Sequence, residues 1–151
     1  MSTSIPAASS AATAPQSSSA SPVIVKIEVV NDEVRSIGNS NSHIHGSFRF
    51  MATSSIHTFA APPTTALDSE ADRTFSPGDV FFHYTQGGSG ASTTCIWLFK
   101  EGMWVDVSDG YDQGTIHHPT IPGYVLVPSM RDVGTPTYIL LKSFLGRRRL
   151  G

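Results

Sequence analysis

From Val23 to Phe144 the chain is a succession of short segments in which apolar and polar side chains alternate, each closed by Gly, Pro, Asn or Asp. A side-chain period of two with turn residues at the breaks belongs to β-strands, not helices. Val23, Val25, Ile27 and Val29 alternate with Ile24, Lys26, Glu28 and Val30, and Asn31-Asp32 offers a tight turn from which Glu33 to Ile37 returns antiparallel. Ile44, Gly46, Phe48 and Phe50 share one face of a second strand, with His43, His45, Ser47 and Arg49 on the other. Pro77-Gly78-Asp79 turns the chain into a strand at Val80 to Thr85. Thr93 to Lys100 and Met103 to Val107 form a hairpin around Glu101-Gly102. Thr115 to His118 reads as a short edge strand stopped by Pro119, Tyr124 to Val127 as a strand between prolines, and Thr137 to Phe144 as the last strand. Roughly eight to nine short strands spaced by turns predict an all-β fold, a single antiparallel β-sandwich or jelly-roll-like domain over residues 23–144.

The ends have a different composition. Met1 to Pro22 contains eight Ser, six Ala, three Pro and two Thr but no charge, so it lacks the apolar mass that offsets ordering entropy and reads as a disordered arm. It has neither the basic start nor the apolar core of a secretory signal, which points to a cytoplasmic location, the compartment where the chain is made. Residues 145–151 read as a basic C-terminal tail. The only helix expected is a short one at Leu67 to Arg73, with Asp68 and Glu70 in its first turn. The lone Cys95 excludes a disulfide framework and a zinc ribbon, and no apolar run approaches the roughly 20 residues that span a bilayer.

The most patterned stretch is Pro77-Gly78-Asp79-Val80-Phe81-Phe82 followed, after a Gly-rich loop, by Cys95-Ile96-Trp97-Leu98-Phe99-Lys100-Glu101-Gly102-Met103-Trp104-Val105. Over residues 77–107 it resembles the aromatic hairpins of phage tail-fibre and other virion surface proteins. The resemblance implies a structural, self-associating component with Trp97, Phe99 and Trp104 on a contact surface. The same residues have two readings from their chemistry: cross-strand packing in a core, or a platform that stacks on a glycan or peptide.

His43-Ile44-His45 puts two imidazoles on one strand face, a spacing similar to cupin metal sites, with His83 as the third ligand. The carboxylate such a site needs is missing after His45, and Arg49 opposes a divalent ion. No metal and no cofactor are therefore expected. Asp106, Asp109 and Asp112 lack the ligand spacing of a calcium loop and read as a solvated turn. No phosphate cradle, nucleophile elbow or zinc-protease motif is present.

Arg147-Arg148-Arg149 is the one concentrated charge. Without it seven cations face twelve anions, so any contact with nucleic acid or an acidic partner rests on these three residues. The sequence thus leads first to a non-enzymatic structural or assembly protein that forms homo-oligomers. A glycan- or peptide-binding β module comes second and a cupin-like metalloenzyme third.

Overall fold

The computed structural model describes residues 26–38, 46–67, 74–87, 92–132 and 134–150, with residues 148–150 described by their backbone. The arm Met1 to Pro22 and the pair His43 and His45 lie outside the described residues. Five strands, β1 (Glu28–Ile37), β2 (Gly46–Ser55), β3 (Val80–Gln86), β4 (Ser92–Lys100) and β5 (Met103–Asp106), form one sheet in sequence order. Two more, β6 (Tyr124–Pro128) and β7 (Pro136–Leu140), form an antiparallel pair, and α1 (Leu141–Leu150) follows.

Among the described residues the fold is all-β apart from α1 and two 3-10 turns, but the large sheet is mixed. β2 and β3 run parallel, with Phe50 beside Val80 and Ser55 beside Thr85. An antiparallel neighbour needs only a tight turn, whereas a parallel one needs a crossover of about a dozen residues or more. Residues 56–79 supply that crossover. It opens with Pro62-Pro63, passes through the 3-10 turn Thr64–Ala66, and returns the chain to the start of β3. The helix expected at Leu67 to Arg73 falls largely on residues outside the described set.

Alternation assigns the two faces of the sheet. Phe48, Phe50 and Ala52 of β2, Val80 and Phe82 of β3, and Ile96 and Leu98 of β4 point to one side, where Leu126, Tyr124 and Tyr138 of the β6–β7 pair complete a core. Met51, Phe81 and Trp97 point to the other side and pack under Leu67, Phe59 and Phe75 of the crossover. Burial on both faces explains why these strands carry apolar runs such as Val80-Phe81-Phe82.

Three expected elements differ. Asn31-Asp32 does not turn: β1 is one strand whose ladder with β2 runs from Glu28 opposite Ser54 to Ile37 opposite Gly46, with a bulge at Val30. Pairing along all of β2 satisfies more backbone groups than a short local hairpin would. Thr115 to His118 forms a single bridge, His117 to Val125, although Ile116 O accepts from Leu126 N and His118 N donates to Tyr124 O. The strand expected to reach Phe144 ends at Leu140, and residues 141–150, part of them expected as a tail, form α1. The Leu141 amide donates to Gly123 O at 2.8 Å, Phe144 packs on Val125 and Val127, and the arginines occupy the last turn, where the helix dipole favours cations.

The Glu101-Gly102 hairpin follows the sequence reading. Glu101 has φ +52° and Gly102 φ +77°, the paired left-handed conformation of a two-residue turn whose twist matches its strands.

Candidate interaction surface

Among the described residues, the buried polar side chains His83, Thr53, Ser55 and Asp79 are engaged in hydrogen bonds that hold the fold. His83 is fully buried on β3 between two hydroxyls of β2. Its Nε2 lies 3.0 Å from His57 O, which only accepts, so Nε2 carries the proton and Nδ1 accepts from Thr53 Oγ1 at 2.7 Å. Ser55 Oγ, 3.0 Å from Nε2, sends its own proton to His57 O and accepts from His57 N. Thr85 Oγ1 donates to the same carbonyl. A serine nucleophile needs its proton aimed at an unprotonated ring nitrogen, and this geometry aims it elsewhere. Burial holds the His83 pKa below the usual histidine value, with the bond to His57 opposing in part, so the imidazole is neutral and structural.

In the cupin-like alternative, ranked third, His83 is the third ligand beside His43 and His45, which lie outside the described residues. Both of its ring nitrogens are occupied, and Phe59 packs edge-on against it at 4.9 Å. No group of three His, Cys, Asp or Glu able to hold a metal ion is found among the described residues. Asp106 accepts from the Ser108 amide and hydroxyl, and Asp112 from Gln113, as turn residues do.

Trp97 is 2% exposed, so it is core, not platform. Phe99 and Trp104 are half-buried, with ring centroids 5.1 Å apart, and Phe75 of the crossover covers both at 5.8 and 5.0 Å. Phe81 meets Trp97 and Trp104 edge-on at 6.1 and 6.0 Å. These rings use their faces and edges on one another, which is how aromatic pairs gain beyond simple burial. Arg147 is exposed on α1 and lines a crevice of about 300 Å³ with Ser36, Thr137 and Ser143. The side chains of Arg148 and Arg149 lie outside the described set.

What the sequence reading missed is the outer edge of β1. Among the described residues β1 pairs only with β2, so alternate backbone N–H and C=O groups along its other side have no ladder partner. The strand is ten residues long and carries Val29, Val30 and Val34 at 43%, 56% and 72% exposure. Long, apolar open edges are what natural sheets ordinarily shorten, charge or cover. Alternation places Val34, Asp32 and Ser36 on the crossover side, and Glu33, Arg35 and Ile37 on the side of the β6–β7 pair.

The edge is held firmly. Arg49 of β2 grips Asp32 through Nε and Nη2, each at 2.7 Å, and this fork raises the arginine pKa. The Arg49 amide donates to Asp79, whose other oxygen accepts from Ser76 N, so the fork is tied to the turn that starts β3. On the other face Arg35 Nη1 bonds Glu33 at 2.7 Å and Asp132 at 3.4 Å. The signal for this edge was the exposed Val34 between charges of opposite sign. It was masked by the apparent turn at Asn31-Asp32.

No helix among the described residues is long and apolar enough to cross a membrane. No protein-family model matches the chain, and no curated protein or solved structure is significantly similar to it.

Proposed function

We propose that this chain is a non-enzymatic structural protein that self-associates, of the capsid or virion-surface kind, with a β-sheet module as its building block. The observation that carries the reading is the outer side of β1, which among the described residues has no ladder partner and carries three exposed valines. A sheet edge of this kind gains backbone hydrogen bonds and buries apolar area when another strand adds to it.

Two features of the site weigh against the rival readings. The buried His83 has both nitrogens engaged, which removes a ready base or metal ligand. Trp97 is inside the core and Phe75 covers Trp104 and Phe99, which removes the stacking platform a glycan module needs.

Light scattering of the full chain across a micromolar concentration series tests the proposal. Discrete oligomers whose population rises with concentration are expected. A monomer at about 100 µM, where any dimer with a micromolar Kd is well populated, overturns it.

A further inference from the structure

We infer that the open edge of β1 pairs antiparallel with β1 of a second copy of this chain, about a twofold axis through Val34. This rests on the self-association reading and adds to it the partner and the register.

Three observations on the strand converge on that residue. The bulge at Val30 confines the regular part of β1 to Asn31–Ile37, and Val34 is its midpoint. At 72% exposure Val34 is also the most exposed apolar side chain of the strand. Charge supplies the third. Opposed residues in an antiparallel twofold pair have numbers with a constant sum, and that sum is even because opposed residues share one hydrogen-bonding parity.

A register centred on Val34 opposes Glu33 to Arg35 of the second copy and Arg35 to its Glu33. Asp32 then faces Ser36, Asn31 faces Ile37, and Val34 faces Val34, with no like charges opposed. Moving the centre by one residue toward either end sets Glu33 against Glu33 or Arg35 against Arg35, and a centre at Asp32 sets two aspartates together; opposed like charges destabilise a strand pair. A centre at Asn31 opposes no charges and turns Val34 onto Glu28. A centre at Val29 would bring Lys26 to Asp32, but Arg49 already holds both Asp32 oxygens, and that register runs through the bulge.

The guanidinium of Arg35 is prepared for the added carboxylate. Among the described residues both of its side-chain contacts, to Glu33 and Asp132, use Nη1. Nη2 and Nε–H are left for Glu33 of the second copy, on the same face.

The experiment uses the full chain carrying Cys95→Ser, so that the introduced thiol is the only one. Val34→Cys is oxidised with glutathione disulfide beside Val30→Cys, and both are checked by circular dichroism and urea unfolding. The expected result is a covalent dimer from Val34→Cys in several-fold higher yield than from Val30→Cys, because only residue 34 meets its own copy. In the native-cysteine chain, Glu33→Arg and Arg35→Glu should each weaken association by about tenfold, and the double exchange should restore it. Oligomers by light scattering with no preferential crosslink at position 34 and no rescue by the exchange overturn the register but leave self-association standing. A monomer at about 100 µM overturns both.

Discussion

Gly78→Ala tests how tightly the turn before β3 is locked to the smaller sheet. Gly78 has φ +100°, a region that costs a non-glycine residue about 1–2 kcal/mol. A Cβ there would overlap Nε2 of His118 and lie 2.9 Å from its Cε1. The imidazole has little room to yield. Its Nδ1 accepts from the Thr120 and Ile121 amides at 3.1 and 3.0 Å, and its ring packs on Tyr138 at a centroid distance of 4.7 Å. Displacing the ring forfeits two hydrogen bonds worth about 1 kcal/mol each and disturbs the buried 2.8 Å bond from the Tyr138 hydroxyl to Gly78 O.

The expected cost is therefore about 3–5 kcal/mol, a large share of the stability of an ordinary domain. Urea unfolding of the wild type, Gly78→Ala, His118→Ala and the double variant gives the full cycle. Removing the imbedded ring should relieve the clash, so the double variant should cost about 2 kcal/mol less than the sum of the singles. A cost below about 1 kcal/mol for Gly78→Ala, or additivity within about 0.5 kcal/mol, would refute the argument.

Trp97→Ala should cost about 3–5 kcal/mol by urea unfolding, and Trp104→Ala clearly less because Trp104 is only half-buried; equal costs would mean that the crossover seals the Trp104 side as fully as the sheet seals Trp97. Stability should fall with acid through His83 and His118, whose pKa values burial lowers in the folded state. The unfolded chain takes up these protons near about pH 6.5 while the folded chain resists, so the contribution is complete above that pH and is lost as pH falls toward the folded values. A urea midpoint unchanged between about pH 7.5 and 5.5 would contradict this, and His118→Gln should flatten the dependence. Glu101→Asn should raise stability by on the order of 0.5 kcal/mol, since asparagine tolerates the left-handed conformation that Glu101 adopts at φ +52°; a decrease would mean the Glu101 side chain makes a contact of its own.

The strands at β3, β4, β5 and β6 were legible because alternation and turn chemistry are local. Glu101-Gly102 fixes its own hairpin register through two left-handed residues, and Pro77-Gly78-Asp79 starts β3 through a turn whose carboxylate caps neighbouring amides. Period two says which residues share a face but nothing about which strand lies beside which. That is why the parallel β2–β3 pair was not foreseen: its partners lie 30 residues apart in sequence, and the choice depends on whether the crossover can bury Phe59, Leu67 and Phe75 over Met51 and Trp97. The same limit hid the role of His83, whose hydroxyl partners come from β2. It also hid α1, where local apolar character reads as strand and only the pocket for Phe144 beside Val125 and Val127 favours helix. The candidate edge is the clearest case. Val34 and its flanking charges are plain in the sequence, but a strand becomes an edge only when no other strand is placed beside it, and tertiary topology alone decides that.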